Sequence, residues 1–231
     1  MKTIGILGGL GPESTVDYYR FLIAEHRRRA ANNSSPPILI NSLDVDKAVA
    51  LVSANNLSAL ADYLGEGLES LARAGADFGL LAANTPHIIF DQLQRRSPIP
   101  LLSIVQATCN SAQRLGMKKL ALLGTGFTMR GRFYPDVFAR AALELIVPNP
   151  DEIAYIHDKY LNELLKNLFL PETRARMMQI VERLAALGAE GMILAGTELP
   201  LLLRDTPAPV PFLDTTLIHV NAAVDEMLKT T

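Results

Sequence analysis

The sequence predicts an α/β protein of two pseudo-symmetric lobes. Each lobe is expected to be a four-stranded, mostly parallel sheet flanked by helices, with a ligand cleft between the lobes. Three observations lead there. Short apolar runs alternate with long amphipathic ones, the pattern of strands and their covering helices. The short runs are apolar on both faces, as strands buried inside a parallel sheet must be. The chain also repeats itself at a nearly constant offset.

The elements follow in order. Strands are expected at Thr3–Leu7, Ile38–Leu43, Phe78–Ala82 and Leu101–Ile104, then at Leu120–Leu123, Leu143–Val147, Met192–Leu194 and Val210–Leu213. Helices are expected over Ser14–Ala31, Leu57–Ala74, Thr108–Leu115, part of Phe133–Leu145, Glu152–Leu168, Pro171–Leu187 and Thr216–Leu228. The clearest is Leu57–Ala74, where Leu57, Leu60, Leu64, Leu68 and Leu71 recur at three- and four-residue spacing and mark one face.

The repeat appears three times in the same order. Met1–Gly9 resembles Met117–Thr125, Leu71–Thr85 resembles Leu184–Glu198, and Ser97–Ser103 resembles Ala208–Asp214. A duplicated unit of about 115 residues accounts for all three. The expected lobes are residues 1–98 with 209–231, and residues 99–208. No Pro/Gly/Ser-rich linker separates them.

Composition bounds the function. The chain has 231 residues, 49% hydrophobic and 20% charged, which excludes disordered, collagen-like and coiled-coil classes. With 22 Lys+Arg against 24 Asp+Glu the net charge is -2, so there is no basic field to neutralise a phosphate backbone, and nucleic acid is not an expected partner. The lone Cys109, early in a helix, excludes an internal disulfide and a cysteine zinc site and fits a small buried thiol. A reduced, cytoplasmic setting is expected. Met192–Leu203 is too short for a membrane span and is broken by Glu198, and the N-terminal MKTIGILGGLGPES does not read as a signal peptide. His26, His87, His157 and His219 lack metal-ligand spacing, so no metal is expected.

Four loops carry candidate chemistry. The first, Gly8 to Thr15, holds Gly9 and Ser14 between a strand and a helix. It fits either an anion-binding turn or a plain capped turn. It lacks the third glycine of the dinucleotide fingerprint, and no P-loop or G-x-S-x-G elbow occurs. The second, Ala82 to His87, places Asn84 and Thr85 at a strand's carboxyl end, as ligand groups or helix caps, with His87 just inside the helix. The third, Ala195 to Pro200, is its repeat partner: Gly196 aligns with Ala83, Thr197 with Asn84 and Glu198 with Thr85. Glu198 suits either a helix cap or a ligand ammonium. The fourth, Gly124 to Met129, mirrors the first and contributes Thr125. Asp44, after the second strand, is a cleft candidate or a cap.

In this order and spacing MKTIGILGGLGPESTVDYY, AGADFGLLAANTPH and LGAEGMILAGTELPLLL, with ALLGTGFTM and PVPFLDTTLIH, resemble the aspartate/glutamate racemase superfamily over essentially the whole chain. The resemblance implies an amino-acid isomerase that works without pyridoxal phosphate or any other cofactor. Two thiols on opposite faces of a substrate α-carbon would remove and return its proton. It also implies that Gly9, Ser14, Asn84, Thr85, Thr125, Thr197 and Glu198 form a frame for a small carboxylate or acidic amino acid. The thiol positions are Ala83 and Gly196, neither of which carries an acid–base group. Glu198, Asp44 and His87 are then the nearby acid–base candidates. Two other readings follow from the same departure: a noncatalytic carboxylate binder, and a different isomerase or decarboxylase reaction on a dicarboxylate. The low charge fraction and apolar helices suit a homodimer; no membrane partner is expected.

Overall fold

The computed structural model describes residues 1–30 and 34–229. The end of the first expected helix, Ala31, lies outside them. The chain divides into two compact units, Met1–Ile104 with His219–Thr231, and Val105–Ile218.

The first unit is built from β1 (Ile4–Gly8), α1 (Pro12–Arg29), β2 (Ile38–Ser42), α2 (Val45–Ser53), α3 (Leu57–Arg73), β3 (Phe78–Leu81), a 3-10 turn at Thr85–Ile89, α4 (Phe90–Arg96) and β4 (Leu101–Leu102). Its sheet is parallel throughout, in the order β2-β1-β3-β4. Strand alternation sends Ile4 and Ile6 to one face, where they pack with Phe78, Leu80, Tyr18, Leu22 and the chain's last helix. On the other face Leu7 meets α3, and a β-carbon on Gly67 would lie 2.5 Å from Leu7 Cδ1. Glycine at that position lets helix and sheet approach closely.

The second unit contains α5 (Ile104–Arg114, from Val105 onward), β5 (Lys119–Gly124), α6 (Gly126–Arg130), α7 (Phe133–Arg140), β6 (Glu144–Ile146), α8 (Pro150–Asn162), a 3-10 turn at Leu164–Lys166, α9 (Pro171–Ala186), β7 (Gly191–Ala195), α10 (Leu199–Leu203) and β8 (Phe212–Asp214). Its strand order, β6-β5-β7-β8, is the first order shifted by one copy. Ala121, Leu123, Met192 and Leu194 pack against Ile153, Ile156 and Tyr160 of α8 and Met177, Val181 and Leu184 of α9. The last helix, α11 (Thr215–Leu228), is counted with the first unit from His219.

The units end later than expected from sequence. β4 stays with the first sheet and β8 with the second because each pairs in parallel with the strand before it. Several expected helices are also trimmed or joined by others. The Glu152–Leu168 pattern starts at Pro150 behind the Asn149–Glu152 capping box and ends as α-helix at Asn162. α2, α4, α6 and α10 were not among the expected helices; each is nine residues or shorter, too brief for a clear apolar period. Among the described residues no helix is long and apolar enough to cross a membrane, and no cluster of three His, Cys, Asp or Glu could hold a metal.

Candidate functional site

In an open parallel sheet the strand order reverses at one point, and the loops leaving the carboxyl ends of the two strands there diverge to opposite faces and leave a crevice. In the first unit those strands are β1 and β3; in the second, β5 and β7. All four loops singled out in the sequence leave from these strands.

After β1 the chain turns at Gly9 with φ +75, and a β-carbon there would lie 2.0 Å from the backbone oxygen of Leu43. The Gly9 N–H donates to Thr15 Oγ1 at 2.8 Å, and that hydroxyl donates in turn to the Gly11 carbonyl at 3.3 Å. Thr15 thus fixes the loop. Ser14 is buried in the first turn of α1.

After β3, Ala83 and Asn84 are buried and Thr85 is half-buried. His87, one of the acid–base candidates, is held by backbone groups through both ring nitrogens. Its Nδ1 lies 3.1 Å from the Ala83 carbonyl, and its Nε2 accepts from the Ile104 N–H at 3.2 Å. The second bond requires a bare Nε2, so the proton sits on Nδ1 and is donated to Ala83. Both ring nitrogens are committed to backbone, and the ring stacks on Phe90. Burial lowers its pKa to about 4 and keeps it neutral. Asp44 is likewise a cap: it is exposed and accepts from the Asp46 N–H at 2.9 Å at the start of α2.

In the second unit Thr125 caps α6, accepting from the Thr128 N–H at 3.2 Å. After β7, Gly196, Thr197 and Glu198 are all buried. Thr197 Oγ1 donates to Glu198 Oε2 at 3.0 Å, and the Tyr160 hydroxyl donates to the same oxygen. The Tyr160 ring fills the space beside Gly196, where a β-carbon would come within 2.4 Å of Cε2 and 2.6 Å of the phenol oxygen. Burial, then the adjacent Glu198 charge, pushes the Tyr160 pKa well above its ordinary value, so the phenol keeps its proton. Sequence reasoning missed Tyr160. Its only signal was its place between Ile156 and Leu164 on one buried face of α8 and the turn after it.

Cys109 is fully buried in α5, and burial raises its pKa despite Arg140 nearby, so it stays a thiol.

The sequence profile of the Asp/Glu/Hydantoin racemases matches residues 7–223. The broad specificity amino-acid racemase RacX of Bacillus subtilis (strain 168) is 24% identical over 97% of this chain and 98% of its own. Two crystal structures share the architecture. One, from Yersinia pestis and described only provisionally as an Asp/Glu racemase, superposes with a TM-score of 0.90 at 30% identity, covering 99% of this chain and 100% of that one. The other, an aspartate racemase homologue from Pyrococcus horikoshii OT3, gives 0.84 at 31% identity over the same shares.

Proposed function

The chain belongs to the Asp/Glu/Hydantoin racemase family, and from that premise we propose that it is an isomerase moving a proton at the α-carbon of a small amino acid without a bound cofactor. The observation that carries this reading is the matched pair of strand-end loops at the two switch points. The loop after β3 holds Asn84 and Thr85; the loop after β7 holds Thr197 and Glu198. Neither contains Lys or Arg, so a substrate carboxylate is held by hydroxyl and amide groups. Ser14, at the start of α1, and Thr125, capping α6, add one hydroxyl to each unit's set.

An α-proton is removed only by a group of suitable basicity within hydrogen-bond reach. Ala83 and Gly196 offer none, and His87 and Asp44 are committed elsewhere. Glu198 is the remaining candidate from the sequence, and its burial at the end of β7 supports that role.

The test is incubation with L- and D-aspartate, L- and D-glutamate and a panel of neutral amino acids in D2O, reading α-deuteration by NMR. Deuteration above the enzyme-free rate is expected for at least one. Its absence across the panel overturns the isomerase reading. Ligand-dependent stabilisation without deuteration would instead identify a binder, a reading that the bare Ala83 and Gly196 positions favour.

A further inference from the structure

We infer that Tyr160 is the proton-transferring group of this site, its phenol standing in the space at the end of β7 where a side chain on residue 196 would go. The inference rests on the isomerase reading above and names the group that handles the proton.

Three observations carry it. The first is steric. A β-carbon on Gly196 would lie 2.4 Å from Tyr160 Cε2, 2.6 Å from its oxygen and 2.9 Å from Cζ, so glycine and this tyrosine ring share one volume. The glycine at 196 is the complement of a hydroxyl-bearing ring delivered from α8. The second is chemical. The phenol donates to Glu198 Oε2, and Thr197 Oγ1 fixes the same oxygen at 3.0 Å, so a proton acceptor is already aligned behind the hydroxyl. The third is burial. Tyr160 is 4% exposed and Glu198 3%, so a charge moved between them is not dissipated in bulk water.

The step balances. The α C–H bond breaks and its proton joins Tyr160 Oη, while the phenolic proton passes to Glu198 Oε2; the electron pair stays on the substrate carbon. Return reverses both transfers. A hydroxyl that has exchanged with D2O in between delivers a deuteron to the face from which the proton left. In the first unit, the corresponding position after β3 is the methyl of Ala83, and His87 is tied to backbone through both nitrogens. Tyr160 and Glu198 both take part in the transfer in this scheme: the phenol meets the substrate and the carboxylate takes the phenolic proton.

The experiment compares wild type with Tyr160→Phe and Glu198→Gln on the amino acids above, reading α-deuteration and the ligand-induced shift in melting temperature. Tyr160→Phe keeps the ring that fills the Gly196 space. The expected result is deuteration in wild type. Both variants should lose about 10²- to 10⁴-fold in exchange rate, and Tyr160→Phe should keep the ligand-induced shift. Glu198→Gln carries the same loss of exchange should Tyr160→Phe fold poorly. Unchanged exchange in Tyr160→Phe overturns the assignment and leaves the isomerase reading standing. No wild-type exchange with any amino acid overturns both.

Discussion

His87 joins Ala83 to Ile104: it donates from Nδ1 to the carbonyl of one and accepts at Nε2 from the N–H of the other. The loop after β3 is thereby tied to the start of α5 through a neutral imidazole. A second buried imidazole, His219, lies nearby, accepting from the Tyr18 hydroxyl and donating to the Leu102 carbonyl. Burial depresses both, to about 4 and about 3. In the unfolded chain each histidine takes up a proton below about pH 6.5. The sign follows: the stability they contribute is complete above that pH and is lost as the pH falls toward the folded values. Urea unfolding is expected to show stability dropping by up to ~1.4 kcal/mol per pH unit per histidine between about pH 6.5 and pH 4. His87→Gln, which cannot ionise there, should show about half that histidine-dependent slope. A slope unchanged by the substitution would mean that His87 is already charged in the folded protein.

Gly196 is held to glycine by Tyr160, not by its backbone. Gly196→Cys should therefore destabilise the fold by about 1–3 kcal/mol, as overpacking does. Adding Tyr160→Ala empties the contested space and should recover part of the loss. Chemical denaturation of the single and double variants measures the coupling. Strict additivity of the two effects would show that the ring and the new side chain do not compete.

The fold was legible because duplication and burial both write long-range patterns. Strands apolar on both faces reported a parallel sheet, and the repeat of Leu71–Thr85 in Leu184–Glu198 anticipated that the strand order would be copied. The loop positions were legible too, because Gly9, Asn84 and Glu198 interrupt apolar stretches at strand ends. The partners of those loops were not. Tyr160 lies far from Gly196 in the chain, and nothing in α8 distinguishes it from an ordinary buried residue. The partners of His87 were not legible either, because backbone groups, which every residue carries, leave no trace in the sequence. The two β strands nearest the unit boundaries, β4 and β8, are only two and three residues long, so their allegiance depended on pairing that local pattern does not encode.

Two glycines should respond in opposite directions to the same change. Gly9 has φ +75, and an added β-carbon would meet the Leu43 backbone at 2.0 and 2.5 Å. Gly9→Ala is expected to cost about 3 kcal/mol or more, from positive-φ strain and a clash with backbone that cannot step aside. Gly65 lies within α3, and an added β-carbon meets nothing within 4 Å. Gly65→Ala is expected to stabilise by up to ~1 kcal/mol through helix propensity. Urea midpoints for the two variants provide the check, and a tolerated Gly9→Ala would contradict the turn geometry described here.

Glu152 binds the start of α8 to α9. It closes the capping box with Asn149 and accepts from Arg183 Nε at 2.7 Å and from Arg183 Nη2. Burial pushes its carboxyl up, but the Arg183 and Asn149 hydrogen bonds outweigh burial and hold it below the usual range. A depressed carboxylate contributes stability that is present above its unfolded pKa of about 4.3 and is lost as the pH falls through the folded value. Glu152 is 7% exposed and Arg183 38%, so solvent screens the pair from one side. Arg183→Met is expected to cost about 1 kcal/mol at neutral pH. The gap between wild type and variant should narrow below about pH 4, where Glu152 becomes protonated in both. Melting curves from pH 7 to pH 3 follow that gap, and one that stayed constant with pH would show that Arg183 contributes by packing its methylenes on α8 and not by its charge.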